Sequence, residues 1–596
     1  MKILLAACNA KYIHSNLAVY NLMAYAKDYS EHLILKEYTI NQTKDDILRD
    51  IYLSEPDVVC FSCYIWNISF VKDIIGDLAK ILPGVPFWAG GPEVSFDASK
   101  FLEENPQFTG VMMGEGEATF KELVKYYVEK EGDLKQIAGI TYRENNEIHV
   151  NPWREILDLS TVPFAYENLA DFKNRIIYYE TSRGCPFSCS YCLSSVEKKL
   201  RFRDMNLVKK ELKFFIDNQV PQVKFVDRTF NCKHEHAMEI WRFIKENDNG
   251  VTNFHFEVSA DLLREEELEL MSTMRPGLIQ LEIGVQSTNP ETIKAIRRTM
   301  NLEKLEALVA KVHSFGNIHQ HLDLIAGLPY EGIESFKQSF NDVYRMRPEQ
   351  LQLGFLKVLK GSYMMECVPE YEISYKAKEP YEVLTTKWLN FREILQLKTV
   401  ESMVEVYYNS GQFRNTLEFL VPYFADAYSF YEAIGNYYNE MGYSEVSHAR
   451  IRRYEILLEF VEKYPQISRE EVIDKMMFDL YLRENLKSRP SFAPSQKEYE
   501  RDIWEYRRLK KVPKTAHVEV LRDGKALLFD YVERDPLSHN AQVKEVNIYD
   551  ELVQQKKQKD NDSGTVYYHG NCDGSTIRAC YAFLLSKAMR NQKLCV

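Results

Sequence analysis

The sequence predicts an α/β protein in which two strand–helix domains are followed by a mostly helical C-terminal domain. Within residues 1–130, and again within residues 175–375, short apolar strands alternate with amphipathic helices. This alternation is typical of parallel sheets that are covered by helices on both faces. Between residues 380 and 596, apolar and aromatic residues recur instead at helical spacing. Residues 131–174 show little periodicity, and we interpret them as a connector.

The composition narrows the class of protein. The chain has 596 residues, of which 45% are hydrophobic, and its net charge of −12 argues weakly against a nucleic-acid scaffold, with RNA binding at a local basic patch as the open alternative. No apolar stretch approaches the roughly 18 residues that span a bilayer, and the apolar start of the chain is too short for a signal peptide. Most of the 11 cysteines are scattered, which excludes a disulfide framework and favours the reducing cytoplasm.

The N-terminal domain is predicted to be a flavodoxin-like, doubly wound parallel sheet. We expect its five strands at 2–8, 33–40, 57–62, 86–90 and 110–113. We expect its helices at 17–29, 46–53, 70–82, 99–104 and 118–129. In sheets of this class, ligands bind beyond the carboxyl ends of the strands.

The loops at these carboxyl ends are rich in glycine and polar residues. Glycine lets a ligand approach the backbone closely, and the start of a helix offers free N–H groups to polar ligand atoms. The candidate ligand-binding residues in these loops are Asn9, His14, Ser62, Tyr64, Gly90, Gly91, Glu93, Gly114, Glu115 and Gly116.

The second domain is predicted to be an open, partial (β/α)6 barrel. Its strands are expected at 176–181, 223–226, 254–258, 278–283, 319–325 and 351–358, and its helices at 206–218, 234–247, 265–274, 291–313 and 333–346. Chemistry in such barrels gathers at the carboxyl ends of the strands. The candidate residues at those ends are Asp227, Arg228, Ser259, Glu282, Gln286 and Gly327. For each acid among them, a role as a helix cap or turn residue is the alternative.

Three cysteines lie within eight positions directly after the first of these strands, at Cys185, Cys189 and Cys192. The C-x3-C-x2-C spacing can place three thiolates on one face of a 4Fe–4S cluster and leave one iron open to another ligand. Zinc is the competing metal, although the second pair of ligands that structural zinc needs does not follow nearby. A chance grouping of packing residues is the remaining alternative.

At these residues the chain resembles the radical S-adenosylmethionine (SAM) superfamily, which has this cysteine spacing after a strand and an aromatic residue, here Tyr191, before the third cysteine. The resemblance implies that the three cysteines hold a 4Fe–4S cluster and that SAM chelates its open iron. It also implies that reductive cleavage of SAM yields a 5′-deoxyadenosyl radical. The implied SAM contacts are Asp227 and Arg228 at the methionine end, Glu282 and Gln286 at the ribose or methionyl group, and Gly327 beside the adenine. The usual Gly-Gly-Glu after the second strand is missing here.

The glycine-rich loops in front of such a core resemble the cobalamin-binding domain of cobalamin-dependent radical SAM enzymes. In that family the Gly-Gly and Gly-Glu-Gly-Glu loops face the nucleotide tail of the cofactor. Proteins that ligate cobalt through histidine carry D-x-H-x-x-G, whereas this chain has Tyr12, His14 and Leu17 at those positions. We therefore expect His14 to make hydrogen bonds, with cobalt ligation as the alternative. The whole chain resembles a group whose C-terminal domain has no assigned function.

Other polar groupings have ordinary structural interpretations. His234 and His236 beside Cys232, or His319 near His321, suggest a second metal site. We interpret the first pair as residues at the start of a helix. The second pair shares one strand face, which is expected to point into the barrel, and contact with a substrate is the alternative there. The basic run 507–514 is interpreted as a solvated helix end rather than an RNA contact. Hairpins are predicted at 137–150 and 518–531, and an exposed loop at 554–562.

The resemblance implies a cobalamin-dependent radical SAM enzyme that methylates an unactivated carbon of an unidentified substrate. The alternative is a radical SAM oxidoreductase or cyclase that uses cobalamin as a redox or structural cofactor. A corrinoid-binding regulator is the third hypothesis, and the intact cysteine motif argues against it. The implied cofactors are a 4Fe–4S cluster, SAM and cobalamin, and the implied partner is a one-electron reductant such as flavodoxin or ferredoxin. We assign no catalytic residue from the sequence.

Overall fold

The computed structural model describes residues 1–553, which form two compact units. The first unit consists of Met1–Arg483 with Asp535–His539, and the second of Glu484–Arg534 with the described residues from Asn540 onward. Within residues 1–553 we find no helix that has the length and hydrophobicity of a membrane span. The loop predicted at 554–562 lies outside the described residues.

The N-terminal part of the first unit is a seven-stranded sheet. Its strands are β1 (Ile3–Asn9), β2 (Leu33–Thr39), β3 (Val58–Ser62), β4 (Phe87–Gly90), β5 (Gly110–Met112), β6 (Ile140–Glu144) and β7 (Glu147–Val150). They lie in the order β2-β1-β3-β4-β5-β6-β7, and the first five run parallel. The flavodoxin-like order predicted for these five strands is therefore confirmed.

The hairpin predicted in the connector forms β6 and β7 and extends this sheet. Asn145 and Asn146 at its turn both have positive φ, as a two-residue hairpin turn requires. Strand β6 then pairs antiparallel with β5. The sequence indicates the hairpin through its turn, but a local turn carries no information about which sheet edge the hairpin joins.

Helices cover both faces of the N-terminal sheet. They are α1 (Leu17–Tyr25), α2 (Lys44–Leu53), α3 (Ile68–Ile81), α4 (Pro92–Ser95), α5 (Ala98–Glu104) and α6 (Gly116–Glu129). Successive residues of a strand enter opposite apolar cores, so that Leu4 packs in one core and Ile3 and Leu5 pack in the other. Helix α1 ends earlier than predicted because a 3-10 turn at Lys27–His32 follows it.

The central part of the first unit is a six-stranded parallel barrel sheet. The strands of this region are β8 (Ile177–Tyr179), β9 (Ser182–Arg183), β10 (Arg201–Phe202), β11 (Gln222–Phe225), β12 (Asn253–Val258), β13 (Ile279–Gln286), β14 (His319–Ala326) and β15 (Gln350–Phe355). The barrel order is β15-β14-β13-β12-β11-β8, and β9 and β10 form a separate antiparallel pair. Because β8 and β15 are the two edges of this sheet, the barrel is open, as predicted.

The barrel helices follow the predicted alternation with one difference. They are α7 (Met205–Asp217), α8 (His234–Glu246), α9 (Glu265–Ser272), α10 (Pro290–Ala295), α11 (Leu302–Phe315) and α12 (Ile333–Arg345). The single helix predicted at 291–313 is two helices, α10 and α11. The loop between them carries Arg298, which enters the site described below.

The remainder of the first unit is mostly helical, as predicted. Its elements are α13 (Tyr363–Cys367), β16 (Ser374–Tyr375), β17 (Val383–Thr385), α14 (Phe391–Met403), α15 (Arg414–Leu420), α16 (Ala427–Glu440), α17 (Arg450–Val461) and α18 (Arg469–Arg483). Several of the tyrosines in this region are core residues, since Tyr428 and Tyr431 of α16 are fully buried.

The second unit contains a three-stranded antiparallel sheet and helical segments. Its elements are α19 (Glu500–Leu509), β18 (His517–Val520), β19 (Ala526–Asp530) and β20 (Gln542–Val546), and a further helical stretch covers residues 548–553. The predicted hairpin forms β18 and β19, whereas β20 was not predicted. In the basic run, the guanidinium of Arg507 donates to the carbonyls of Pro513 and Ala516, so this residue closes the end of the helix.

Candidate cofactor site

The cysteine loop follows β9 and is held by backbone hydrogen bonds. The N–H of Cys185 donates to the carbonyl of Glu197 at 3.1 Å. The Ser195 hydroxyl lies 2.9 Å from the carbonyl of Cys189 and 2.6 Å from that of Cys192. These contacts curl the chain back on itself, which gathers the three thiols in one loop.

Gly184 is required at the start of this loop. Its φ is +95°, and a Cβ atom there would lie 2.6 Å from the carbonyl oxygen of Lys199. A side chain would therefore be strained and would also clash with backbone. The sequence shows this glycine directly before Cys185, but only the fold reveals what it contacts.

The three thiols suit an iron–sulfur cluster better than a single zinc ion. None of the cysteines at 185, 189 and 192 is in a disulfide, and Cys185 and Cys189 are each 8% exposed. Within residues 1–553, the three sulfurs do not form a group whose members all lie within 4.8 Å of one another. A tetrahedral zinc ion with bonds of about 2.3 Å would bring its sulfur ligands to about 3.8 Å. A 4Fe–4S cluster binds its thiolates through different iron atoms, so its ligands need not approach one another as closely.

Arg298 is a residue of this site that the sequence reasoning missed. Its Nη1 lies 3.9 Å from the sulfur of Cys189, its Nη2 donates to the carbonyl of Gly284, and its Nε is buried without a hydrogen bond. The buried cation thus joins the cysteine loop to the end of β13. No local pattern marks it, because it lies in the short loop between two helices.

Asp227, which was predicted to contact SAM, is bound by the chain just before the cysteine loop. It is fully buried, and its carboxylate accepts hydrogen bonds from the N–H and hydroxyl of Thr181 and from the hydroxyl of Ser182. Burial raises the pKa of Asp227 to about 6. Asp227 therefore fixes the chain just before the cysteine loop. The neighbouring Arg228 has a side chain that is 54% exposed and lies 3.8 Å from Glu257.

The end of β13 carries Gln286 at the mouth of the barrel. This residue has a φ of +72°, the strand is irregular between Gly284 and Gln286, and the Gln286 Oε1 is buried without a hydrogen bond. The Gln286 Oε1 could accept a hydrogen bond from a polar ligand such as SAM, and the unpartnered Nε of Arg298 could donate one.

Ser259 and Gly327 are occupied by contacts within the protein. The Ser259 hydroxyl donates to Asp261 at 2.7 Å. At Gly327, with a φ of +88°, the position of a Cβ atom lies 2.7 Å from a methyl group of Val383. A side chain at position 327 would therefore clash with Val383, 56 positions away in the sequence, and the adenine contact expected at the Gly327 backbone stays a prediction.

Glu282 lies deeper in the barrel lumen than the prediction implied. Its Oε2 is 2.9 Å from Nζ of Lys224 and 3.0 Å from Nε2 of His255. Burial opposes ionisation, but the nearby imidazole of His255 and the ammonium group of Lys224 hold the pKa of Glu282 well below its usual range. Its carboxylate is therefore ionised and tied to neighbouring strands.

The lumen is polar because the strands place ionisable residues side by side. In the parallel register Lys224 is level with Tyr178 and His255, and Glu282 is level with Glu257 and His321. Asp323 follows on the same face of β14, 3.0 Å from Nε2 of His321. Burial raises the pKa of Glu257 to about 7 and lowers that of His319 to about 4. The predicted placement of the 319–321 pair in the barrel interior is thus observed.

The other histidine pair has the structural role that we favoured. His234 lies 2.9 Å from Glu267 and 3.2 Å from Glu266 near the start of α9. The Nε2 of His236 is 3.0 Å from the hydroxyl of Thr181, and burial lowers the pKa of His236 to about 4. Neither imidazole shares a site with the sulfur of Cys232 within the described residues.

The acids of the N-terminal glycine loops are already bound by basic residues. The two oxygens of Glu115 accept a bidentate pair from Arg201, at 2.5 and 3.0 Å. Glu117 accepts from Arg183 at 2.7 Å. Because Arg183 precedes Cys185 by two positions, these contacts join the Gly-Glu-Gly-Glu loop directly to the cysteine loop.

Glu93, after the Gly-Gly pair, is held from a distant part of the chain. Its Oε1 accepts from the Tyr381 hydroxyl at 2.5 Å and lies 3.2 Å from Nζ of Lys360. Burial raises the pKa of Glu93, although both partners oppose the shift. Gly91, with a φ of +116°, would place a Cβ atom 2.5 Å from the carbonyl oxygen of Cys63, so glycine is needed for these loops to pack.

The remaining predicted rim residues also contact protein groups. The Asn9 side chain donates to the carbonyl of His14 at 3.0 Å, and the Ser62 hydroxyl accepts from Asn16 at 3.0 Å. The Gly114 N–H donates to Ser95 at 3.3 Å, and a Cβ atom on Gly116 would lie 3.0 Å from Leu22. Gly90 has only ordinary contacts. The Tyr64 ring stacks on Trp66, whose ring is partly exposed, at 4.3 Å.

His14 bonds to the barrel. Its Nδ1 lies 2.7 Å from the hydroxyl of Tyr178 on β8, and burial lowers the pKa of His14. On either side of it, the Ile176 N–H donates to the carbonyl of Ile13 and the Ser15 hydroxyl donates to the carbonyl of Ile176, both at 2.8 Å. The first loop of the N-terminal sheet is thus joined to the strand that leads to the cysteines.

Comparison with known families agrees with this arrangement. Residues 3–124 match the B12 binding domain, residues 179–343 match the radical SAM superfamily, and residues 369–551 match a protein family of unknown function, DUF4080. The chain carries a B12-binding domain, a radical SAM domain and a DUF4080 region. The predicted cofactors, a 4Fe–4S cluster, SAM and cobalamin, are those of the first two domains. Tyr381 and Val383 lie within the DUF4080 match. This region therefore contacts Glu93 in the N-terminal domain and Gly327 in the radical SAM domain.

Named relatives are similar to part of this chain. The cobalamin-dependent radical SAM methyltransferase TokK of Streptomyces tokunonensis is 26% identical over 350 residues, which are 55% of this chain and 51% of TokK. An anaerobic magnesium-protoporphyrin IX monomethyl ester cyclase of Synechocystis sp. is 27% identical over 238 residues, 37% of this chain and 46% of the cyclase. The chain spans about half the length of these relatives.

A solved structure shares the fold over most of the chain. The cobalamin-dependent SAM radical enzyme OxsB, with aqua-cobalamin and SAM bound, aligns with a TM-score of 0.57 and 16% identity. The alignment covers 86% of this chain and 82% of OxsB. At this identity the likeness supports the fold, and it leaves the reaction to be argued from the residues.

Proposed function

We propose that this chain is a cobalamin-dependent radical SAM methyltransferase that acts on an unactivated carbon. The observation that carries the proposal is the direct contact between the two predicted cofactor loops. Arg183, two residues before Cys185, lies 2.7 Å from Glu117 and 3.5 Å from Glu115 of the Gly-Glu-Gly-Glu loop. A substrate held at this junction would be within reach of groups on both domains.

Cys185, Cys189 and Cys192 would hold the cluster, and Arg228, Gln286 and Arg298 would contact SAM. Arg228 is exposed and cationic, which suits the methionine carboxylate, and the other two residues present unpartnered polar atoms. The rim loops, including His14 and the Gly90–Gly91 pair, would line the cobalamin site. When bound, the cluster and SAM supply radical chemistry and cobalamin supplies a transferable methyl group.

The protein's own residues would position and shield that chemistry. The buried carboxylate of Asp227 fixes the start of the cysteine loop, and Arg298 holds the loop against β13. Val383 and Tyr381, from the DUF4080 region, close the space beside Gly327 and hold Glu93. We propose that this region completes the wall that keeps water from the reacting groups.

The methyltransferase names of relatives such as TokK support methyl transfer. The cyclase relative supports a second candidate, a ring-forming or oxidising radical SAM reaction in which cobalamin acts as a redox or structural cofactor. We further propose that the external one-electron donor is a flavodoxin or ferredoxin and that the protein works in the reducing cytoplasm. The substrate is not specified by these arguments.

The test is an anaerobic assay of the full chain with cluster, cobalamin, SAM and a low-potential reductant. Methyl transfer predicts about one equivalent of S-adenosylhomocysteine per bound cobalamin before any substrate is added. The second candidate predicts 5′-deoxyadenosine without S-adenosylhomocysteine, and that result would overturn the main proposal.

Cysteine variants test the cluster ligands in the same assay. We expect Cys189→Ala to lose the iron–sulfur absorbance and to reduce SAM cleavage by at least 1,000-fold, on the order of 4 kcal/mol in the barrier. The matched control is Cys232→Ala, which alters a half-buried thiol outside the loop and should retain both. Retained cleavage in Cys189→Ala would exclude this residue as a ligand.

A further inference from the structure

A group of possible metal ligands lies inside the barrel, away from the cysteine loop. It consists of His255 on β12, Glu282 on β13, and His321 and Asp323 on β14, which are consecutive strands of the sheet. Glu282 is level with His321 in the register, and all four side chains are on the lumen face. None of them belongs to the cluster site proposed above.

The ligand atoms of this group converge. One atom each from Glu282, His321 and Asp323 lies within 4.8 Å of the others. The Nε2 of His255 is 3.0 Å from Oε2 of Glu282, and the Nε2 of His321 is 3.0 Å from Oδ1 of Asp323. Two imidazoles and two carboxylates thus approach one another in the low-dielectric interior.

The imidazole nitrogens are unpartnered although they are close to oxygen. Neither Nε2 of His255 and His321 nor Oδ1 of Asp323 makes a hydrogen bond of acceptable geometry, and all three atoms are buried. His255 is 6% exposed and His321 is 7% exposed. Buried polar atoms almost always have a partner, so each of these requires an explanation.

A shared metal ion explains both the distances and the missing hydrogen bonds. Ligand atoms bound at about 2.1 Å and at right angles to each other lie about 3.0 Å apart, while both point at the ion rather than at each other. Hydrogen-bonded pairs would instead direct the N–H at the oxygen. The contacts at 3.0 Å in this group have the distance of the first geometry and lack the hydrogen bonds of the second.

We propose that Glu282, His321 and Asp323, with His255 beside them, bind one divalent first-row metal cation inside the barrel. Mixed imidazole and carboxylate ligands suit Mn²⁺, Fe²⁺ and Zn²⁺, and two carboxylates balance the charge of such an ion. Lys224 donates to Glu282 at 2.9 Å and serves as the outer partner that orients a ligating carboxylate.

This site is distinct from the cofactor site and goes beyond the proposed function. Glu282 precedes Gln286 by four residues of β13, about 13 Å of extended chain, so the ion would lie well below the barrel mouth. Its binding requires neither SAM nor a methyl acceptor. The metal site and the methyltransferase activity can therefore each fail without the other.

The test is a titration of the full chain with Mn²⁺ alone, monitored by electron paramagnetic resonance (EPR). The protein carries its oxidised, EPR-silent cluster and hydroxocobalamin. Mn²⁺ is the probe because it prefers oxygen and imidazole ligands over the thiols of the cysteine loop. We expect about one Mn²⁺ per chain to leave the free-ion spectrum, and we expect His321→Ala and Asp323→Ala each to weaken binding at least tenfold.

The control is His234→Ala, since His234 also has two carboxylates within 3.2 Å but lies near the start of α9. We expect this variant to bind Mn²⁺ like the wild-type chain. Hyperfine spectra of Mn²⁺ on the wild-type protein should show coupling to imidazole nitrogen, a result that does not depend on the folding of any variant. Absence of stoichiometric binding, absence of nitrogen coupling, or equal weakening by His234→Ala would each overturn the proposal.

Discussion

The loops at the rim of the N-terminal sheet and the barrel lumen both contain ionisable residues but use them differently. At the rim, Glu93, Glu115 and Glu117 each have a basic partner from elsewhere in the chain. In the lumen and at its mouth, polar atoms are left unpartnered. They are Nε2 of His255, His319 and His321, Oδ1 of Asp323, Oε1 of Gln286 and Nε of Arg298.

This difference separates polar residues that stabilise the fold from those that we propose bind a ligand. A buried group that is already paired contributes to stability, and its loss leaves the partner charge unpaired. A buried group without a partner carries an uncompensated desolvation cost in the ligand-free protein, and a ligand can remove that cost. We therefore expect rim variants to change stability most and lumen variants to change binding most.

The largest effect on stability is expected from Arg183→Met. The guanidinium contacts Glu115, Glu117 and Glu180, and its removal leaves three partly buried carboxylates without their shared cation. We expect a loss of about 3–5 kcal/mol in the free energy of unfolding. The measurement is thermal unfolding followed by circular dichroism.

The control for Arg183→Met is Arg469→Met. Arg469 pairs with Glu462, the two side chains are 45% and 56% exposed, and surface pairs are worth about 1 kcal/mol or less. Equal shifts in melting temperature for the two variants would remove the distinction between the rim and an ordinary surface.

An intermediate effect that depends on pH is expected from Glu331→Gln on the barrel side. Glu331 is fully buried and accepts hydrogen bonds from Ser287 at 2.6 Å and Ser339 at 2.8 Å. Burial raises the pKa of its carboxyl to about 7. Because the folded pKa is above the unfolded one, this group's stabilising contribution is complete below about pH 4 and is lost as the pH rises through 7.

We therefore expect Glu331→Gln to flatten the pH dependence of stability. The free energy of unfolding of the variant, relative to that of the wild-type chain, should rise by about 2 kcal/mol or less between pH 6 and pH 8.5. Melting temperatures of both proteins at the two pH values provide the measurement. Glu334→Gln, at an exposed position on α12, should leave the pH slope unchanged, and an unchanged slope in Glu331→Gln would contradict the assigned pKa.

The smallest effect is expected from His14→Ala. The structure pairs His14 with Tyr178 at 2.7 Å, and the loss of one such hydrogen bond costs about 1 kcal/mol. Tyr178→Phe should cost a similar amount, because it removes the same bond. Thermal unfolding of both variants measures this.

EPR of the chain loaded with cob(II)alamin tests His14 further. We expect no nitrogen splitting from a lower ligand in the wild-type chain and an unchanged spectrum in His14→Ala. Nitrogen splitting that disappears in the variant would show that His14 leaves Tyr178 to bind cobalt, and that this rim side chain is a metal ligand rather than a structural contact.

The sequence predicted the position of some site residues but not the neighbours of others. The cysteines and Gln286 lie at the barrel mouth as expected, because they follow strand ends that the apolar pattern marks. Asp227 and Gly327 were interpreted as ligand contacts, which stays a prediction, and the fold also sets them against Ser182 and Val383. A sequence pattern shows that a polar or flexible residue follows a strand, but it does not show which neighbour reaches that residue first.

The sequence by itself determined the features that depend on local spacing. The cysteine loop, the order of strands and helices, and the Asn145-Asn146 hairpin turn follow from patterns within about 30 residues, where chain geometry limits the choices. Tertiary structure alone decided the contact of Tyr381 with Glu93, 288 positions apart, the entry of Arg298 into the cysteine site, and the convergence of three strands on one lumen group. Those features depend on strand register and long-range packing, and such pairings leave no periodic trace in the chain.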